Sequence, residues 1–137
     1  MGIAIREYTK EDFPKLLLLS DDEWSTVHIG TASILKQSDD KISRCYLAMD
    51  EDDQKVVGYI YGFVLPNKTL IPEFLYVLPE YRRKGIGKKL IQSLEDNSGC
   101  TASMIFYNKS LHDYYQKQEY ITGDDLEIAM KELKSNG

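Results

Sequence analysis

The sequence predicts an α/β fold (an α+β mixed sheet), with a central, mostly antiparallel sheet flanked by helices on both faces. Three observations predict it. Runs rich in Val, Ile, Tyr and Phe recur from Arg44 to Leu78 with only turn-sized gaps between them, which reads as successive antiparallel strands. Helical apolar patterns precede and follow these runs, so both faces of the sheet can be covered. A helix then separates the strand that ends near Leu78 from the next one at Thr101, the arrangement of a right-handed crossover.

Each element has a local reason. Ile3 and Ile5 alternate with Ala4 and Arg6 in a short strand, and Thr9 with Asp12 three residues later reads as a capping box that opens a helix. Phe13, Leu16, Leu17 and Leu19 give that helix its apolar face, and Ser20-Asp21-Asp22 ends it. A second helix is expected from about Ser25 to Gln37, with Trp24, Val27, His28 and Leu35 available to pack and Gly30 weakening it. Arg44 to Met49 is a strand, Asp50 to Gln54 an acidic turn, and Lys55 to Leu65 a longer strand, together a hairpin. Pro66-Asn67-Lys68 turns the chain into the strand Thr69 to Leu78. Within it Pro72 cannot donate a ladder hydrogen bond and is expected at an edge, at the strand start or at a bulge. Gly87 to about Asp96 is helical, with Leu90, Ile91 and Leu94 on one face and Asn97-Ser98-Gly99 as its stop. Thr101 to Phe106 is a further strand, Ser110 to Gln118 a helix and Tyr120-Ile121-Thr122 a short strand. Leu126, Ile128 and Met130 alternate in a closing strand.

The 137 residues suit one domain, 1–137, with one core. No Gly/Ser/Pro tract, repeat or low-complexity block divides them. No apolar run approaches a membrane span, and the first residues, with Arg6, Glu7 and Lys10 between short apolar pieces, do not read as a signal peptide. A cytoplasmic protein with no membrane partner is expected. Cys45 and Cys100 stand in no metal or redox spacing, so they read as two small core residues in a reducing compartment, and no metal is expected. The net charge of −5 argues against nucleic-acid binding, which needs a positive face. The acidic clusters at Asp21-Asp22-Glu23, Asp39-Asp40, Asp50-Glu51-Asp52-Asp53 and Asp124-Asp125 read as solvated turns and helix ends that could also attract a cationic substrate.

The stretch from Val77 to Ile91 carries the chemistry. An apolar strand ends at Pro79, a basic loop with two glycines follows, and a helix starts at once. Gly85 and Gly87 let the backbone approach a ligand, and the outward amides of a helix start attract phosphate. Arg82, Arg83, Lys84, Lys88 and Lys89 add positive charge. A P-loop would need a glycine where Arg82 stands and Ser or Thr where Lys89 stands, and the dinucleotide fingerprint would need glycine at Leu90. Both motifs therefore fail.

What fits is Arg82-x-x-Gly85-x-Gly87 directly after Val77-x-Pro79-Glu80-Tyr81. This closely resembles the coenzyme A pyrophosphate loop of the GCN5-related N-acetyltransferase (GNAT) superfamily. A second segment, Asn108-x-x-Leu111-x-x-Tyr114-Tyr115-x-x-x-x-Tyr120, resembles the superfamily's later signature. The resemblance implies a GNAT-like acyl-CoA N-acyltransferase fold and acetyl-CoA as co-substrate. It implies a coenzyme site made by Leu75, Tyr76 and Val77 on the strand, by Arg82, Arg83, Lys84, Gly85, Ile86, Gly87 and Lys88 in the cradle, and by Asn108 and Tyr115 beyond it. The superfamily usually has glycine where Glu119 stands, so the turn into Tyr120 is expected to avoid the left-handed conformation or to shift it to another residue.

Acetyl transfer to an amine needs a held thioester, a neutral nucleophile, a stabilised oxyanion and a proton for the thiolate. By resemblance, Tyr115 lies near the thioester sulfur; a phenol with a pKa of about 10 stays protonated at neutral pH and can donate to a thiolate of pKa about 8.5. Tyr115 is thus the expected general acid. An alkylamine is neutral only about once in 10³ molecules at pH 7, so a base is useful. Glu73, expected on the strand face of Leu75 and Val77, is the candidate, directly or through water. Thr101 to Phe106 holds no carboxylate, which excludes a base on that strand. His28 and His112 read as structural and solvent-facing respectively. The expected activity is direct attack of a small-molecule or peptide amine on acetyl-CoA by a monomer or homodimer. The alternative is a non-catalytic acyl-CoA-binding or sensor module.

Overall fold

The computed structural model describes residues 2–19, 43–107, 109–121 and 131. The expected helix from Ser25 to Gln37 and the closing strand through Leu126, Ile128 and Met130 lie outside these residues, as do Trp24, His28, Asn108 and Thr122. Contacts divide the chain into two compact units, Met1–Phe106 and Tyr107–Gly137.

The first unit runs β1 (Ile3–Glu7), a 3-10 turn (Lys10–Asp12) leading into α1 (Phe13–Leu17), β2 (Ser43–Asp50), β3 (Lys55–Val64), β4 (Thr69–Val77), a 3-10 turn (Pro79–Tyr81), α2 (Ile86–Asp96) and β5 (Ala102–Ser103). The five strands form one mixed sheet in the order β1-β2-β3-β4-β5. The first three pairings are antiparallel and β4 with β5 is parallel, joined by the α2 crossover. The helix near the N-terminus is shorter than the apolar pattern suggested, a 3-10 turn and five α-helical residues. Its opening is as expected: the Asp12 carboxylate accepts the Thr9 N–H at 2.9 Å, the returning half of a capping box.

Helices cover both faces. Leu16 and Leu19 pack with Tyr8, Cys45, Leu47, Met49, Tyr59 and Tyr61, the core on one side of the sheet. The opposite side receives α2, whose Ile86, Leu90, Ile91 and Leu94 are all buried. Gly58, which alternates with Tyr59, marks how closely that helix lies: a Cβ there would stand 3.4 Å from Leu90 Cδ1. Each fully buried Leu or Ile contributes about 2 kcal/mol, so the i, i+4, i+5, i+8 stripe of α2 is enough to hold the helix flat on the sheet.

The bend in β4 has a sequence cause. Gly62 pairs with Pro72 and Tyr61 with Phe74, so Glu73 is an extra residue and forms a β-bulge. Pro72 thus takes one of the positions open to it. Gly62 is required opposite, because a Cβ would sit 2.6 Å from the Ile71 carbonyl oxygen. The parallel ladder between β4 and β5 covers only Thr69↔Ala102 and Leu70↔Ser103. Leu70 accepts the Met104 N–H at 2.9 Å, and the next β4 residue facing that way is Pro72, which has no N–H to continue the ladder. The strand expected over Thr101 to Phe106 therefore shrinks to two residues, while β4 continues alone to Val77.

The second unit contains a 3-10 turn (Lys109–Leu111) and α3 (His112–Gln116). Its end corrects the expectation for Glu119, which adopts the left-handed conformation itself, with φ 69°. Tyr120 N–H bonds to the Tyr115 carbonyl at 3.2 Å and Glu119 N–H to the Gln116 carbonyl at 3.1 Å, the two bonds of a Schellman motif. The Tyr115 and Tyr120 rings meet edge to face at 5.6 Å and supply the apolar contact of that motif. These contacts hold a non-glycine residue where glycine would be less strained.

Candidate functional site

The cradle begins where β4 ends. The 3-10 turn Pro79–Tyr81 closes with Tyr81 N–H on the Leu78 carbonyl at 2.9 Å and Arg82 N–H on the Pro79 carbonyl at 3.2 Å. Arg83 (φ 63°) and Gly85 (φ 80°) have positive φ, the kind of backbone from which an anion-binding nest of N–H groups can be built. Gly85 caps α2, so the helix starts at Ile86, one residue before the sequence expectation. The first helical bond runs from Lys89 N–H to the Gly85 carbonyl at 3.1 Å. The N–H groups of Ile86, Gly87 and Lys88 are therefore left without an intrahelical acceptor. Among the described residues, a Cβ on Gly85 would meet no heavy atom within 4 Å beyond its chain neighbours, which leaves room beside these amides. An anion is the complement of such a site, favoured by the helix dipole and by the exposed Arg83, Lys84, Lys88 and Lys89.

Arg82 does a different job from its neighbours. Its Nε donates to the Val77 carbonyl at 2.8 Å, and its guanidinium lies 5.5 Å from the centre of the Tyr76 ring. This ties the start of the cradle to the end of β4.

The free end of β4 presents a second set of main-chain groups. Leu78 N–H bonds to the Val57 carbonyl at 2.8 Å, and Tyr76 pairs with Tyr59 across the ladder. Alternation then turns the main-chain groups of Tyr76 toward β3, and those of Leu75 and Val77 toward the side that β5 has left. An extended amide-bearing chain could add there as a strand would.

Glu73 is exposed at the bulge, and partial desolvation raises its pKa. Strict alternation does not carry across a bulge, so the expectation that Glu73 shares the face of Leu75 and Val77 lost its geometric basis. Its charge also acts on Tyr61, whose phenol is raised by burial first and by Glu73 second.

In the second unit Tyr115 is buried against Tyr107, Tyr114 and Tyr120, with ring centres at 4.8, 5.0 and 5.6 Å. Burial, then its tyrosine neighbours, pushes its pKa up to about 12. The phenol therefore stays protonated at any physiological pH. It would give its proton fully to a thiolate of pKa about 8.5 only at a cost of about 5 kcal/mol, so it is better suited to donating a hydrogen bond as charge develops. His112 Nδ1 lies 3.5 Å from the Tyr107 hydroxyl.

Two residues at the cradle escaped the sequence reading. Asp50 begins an acidic stretch that reads as a solvated turn, but it ends β2 with only 3% of its surface exposed and accepts the Tyr81 hydroxyl at 2.7 Å. Lys55, the first residue of β3, brings its Nζ to 5.4 Å from the centre of the Tyr81 ring. Asp50-x-Asp52 at a strand end was the available signal for the first, since aspartate there commonly accepts a turn N–H. Among the described residues no group of three or more His, Cys, Asp or Glu side chains could hold a metal ion, and no helix is long and apolar enough to cross a membrane.

Known structures share this fold. The chain is similar to a paia N-acetyltransferase from Thermoplasma acidophilum solved with coenzyme A, at 20% identity and a TM-score of 0.71 over 93% of this chain and 94% of that one. It is similar to glucosamine-6-phosphate N-acetyltransferase from Arabidopsis thaliana, at 15% identity and a TM-score of 0.73 over 96% and 99%. An aminoglycoside acetyltransferase from an uncultured soil metagenomic sample, solved with sisomicin, matches at 19% identity and a TM-score of 0.73 over 96% and 97%. The family model described as "Acetyltransferase (GNAT) family" matches residues 4–120. The chain belongs to the GNAT family of acetyltransferases.

Proposed function

We propose that this chain transfers the acetyl group of acetyl-CoA to a primary amine by direct attack, without an acyl-enzyme intermediate. One observation carries the reading: outward amides at Ile86, Gly87 and Lys88, preceded by Arg83 and Gly85 at positive φ, follow a strand whose end has parted from its neighbour. A diphosphate fits the first feature and an amide-bearing pantetheine arm fits the second.

Acetyl-CoA supplies the thioester carbonyl and a thiol leaving group. The amides of the cradle, with those of Arg83, Lys84 and Gly85, hold the pyrophosphate, and the neighbouring basic side chains contribute charge. Main-chain groups of Leu75 and Val77 hold the pantetheine arm, and the Val77 N–H is the donor for the carbonyl oxygen as negative charge grows on it. Tyr76 contributes its ring as a support for Arg82. Asn108 contributes a hydrogen bond to the coenzyme, as in the superfamily. Tyr115 donates a hydrogen bond to the sulfur as charge develops on it, and the proton that the attacking nitrogen loses as the amide forms passes to the departing thiolate, so the phenol ends the cycle protonated; its high pKa keeps that donor present throughout the neutral range. Glu73 takes a proton from the ammonium of the acceptor, directly or through water; its raised pKa makes it a better base than an ordinary carboxylate. The acceptor is a small molecule or a peptide amine.

The test is thiol release from acetyl-CoA in the presence of amines, polyamines, aminoglycosides, amino acids and peptides. Wild type is expected to release thiol with at least one class, and Tyr115→Phe to lower kcat by about 10²-fold, within the usual range for a lost hydrogen-bond donor to developing charge. Coenzyme A that raises the melting temperature while no acceptor releases thiol would identify a non-catalytic acyl-CoA-binding or sensor module instead.

A further inference from the structure

We propose that the buried hydrogen bond between Asp50 and Tyr81 is a positioning device that holds the cradle in its binding geometry, with Asp50 and Tyr81 as positioning residues for the coenzyme. The inference deepens the proposed function and rests on it.

The cradle needs an anchor. It is launched by a single 3-10 turn, Pro79–Tyr81, and so short an element does not fix the direction of the chain that leaves it. Two consecutive residues supply the missing constraint. Arg82 ties the segment to β4 through the Val77 carbonyl. Tyr81 ties it to the β2–β3 hairpin: its hydroxyl donates to Asp50 Oδ2 at 2.7 Å, across 31 residues of sequence.

The Asp50 carboxylate is itself immobilised, because its other oxygen accepts the Asp52 N–H at 3.0 Å. Tyr81 and Asp50 are 7% and 3% exposed. A buried carboxylate is costly unless its oxygens are satisfied, and phenylalanine would fill the same space without that cost. The bond therefore contributes orientation more than packing. Lys55 and Lys84 flank the ring, with Nζ at 5.4 and 5.7 Å from its centre, and Lys84 belongs to the cradle itself. The hairpin and the cradle thus share one charge-balanced contact on Tyr81. Neither member is placed to touch the reacting atoms; both act through the amides that follow.

The variants are Tyr81→Phe, Asp50→Ala and Asp50→Asn, together with the Tyr81→Phe/Asp50→Ala double variant. The measurements are calorimetric titration with coenzyme A, which needs no acceptor, and the melting temperature of the free protein. Tyr81→Phe keeps the ring and remains informative even where Asp50→Ala does not fold. The expected result is a Kd about tenfold higher for Tyr81→Phe, as for loss of a hydrogen bond to a charged group. Asp50→Asn, which keeps an acceptor oxygen, is expected to recover most of the affinity lost in Asp50→Ala, and the double variant to be no worse than the poorer single one. With any amine that the thiol assay identifies, the KM for acetyl-CoA rises while kcat at saturation stays within about twofold. A lower melting temperature with unchanged Kd would overturn the proposal and leave the bond a purely structural one, and so would losses that multiply in the double variant. Wild type that does not bind coenzyme A would overturn the proposed function as well, and it is recognised in the same titration before any variant is compared.

Discussion

Gly85→Ala separates two demands made on one position. The residue has φ 80° and ψ 7°, in the left-handed region, where an L-residue costs about 1–2 kcal/mol. About 0.5–1 kcal/mol of this is recovered from the chain entropy that glycine loses on folding. No steric cost adds, because among the described residues a Cβ there meets nothing within 4 Å beyond its chain neighbours. The free protein should therefore lose about 1 kcal/mol, or about 3 °C in melting temperature for a chain of this size. Coenzyme binding should fall much further, since the new methyl enters the open space beside the Ile86, Gly87 and Lys88 amides. Displacing the pyrophosphate from two such donors, at about 1.5–3 kcal/mol each, raises Kd by roughly 10²-fold or more. The assay is a thermal scan with and without coenzyme A. At 100 times its Kd the ligand stabilises wild type by about 2.7 kcal/mol, a rise of roughly 8 °C that Gly85→Ala should nearly abolish. Lys89→Ala removes one exposed charge one position beyond the free amides and should keep most of the rise. A Gly85→Ala protein that melts lower yet shows the wild-type rise would refute the reasoning, because the open space would then not be where the diphosphate sits.

Three further outcomes follow from the backbone and from one ion pair. Glu119→Gly should raise stability by about 0.5–1 kcal/mol by relieving the left-handed strain at φ 69°; denaturant melts that show a loss would mean the Glu119 side chain has a contact worth more than the strain. Gly62→Ala should cost about 2–4 kcal/mol, because its Cβ would stand 2.6 Å from the Ile71 carbonyl oxygen and 3.0 Å from Pro72 Cα, both main-chain atoms at the bulge; near-neutral behaviour would show that the bulge can move. The Arg6 guanidinium, bonded to Asp12 at 2.6 and 2.8 Å, holds that carboxyl down to about 2 from its ordinary 3.8. A depressed carboxylate adds stability that is complete above about pH 4 and disappears as the pH falls toward 2, here about 1 kcal/mol after solvent screening. Asp12→Asn should flatten that part of the acid stability profile, and an unchanged slope would count against the pair.

The elements that depend on neighbours in sequence were legible in advance. The Val, Ile, Tyr and Phe runs of β3 and β4, the helical stripe Leu90, Ile91 and Leu94, and the Thr9–Asp12 cap all arise from residues within a few positions of one another. Glu119 was misjudged because the conformation of a helix end follows from which carbonyls remain to be satisfied. The Tyr115 and Gln116 carbonyls required a left-handed residue at that position whatever its side chain.

The boundary between the two kinds of information runs through β4. Pro72 by itself determined that a ladder must break, since it lacks an N–H, and Gly85 with Gly87 determined that a backbone could come close to an anion. Which ladder broke was decided only when β3 and β5 took their places on either side, so that Pro72 faced β5 while Glu73 bulged against Tyr61 and Gly62. The same holds for Asp50 and Tyr81, whose meeting across 31 residues no local pattern encodes. Local chemistry sets which groups are available to bind. The partners they acquire, and so whether a carboxylate is solvated or buried, are settled by packing between segments far apart in the chain.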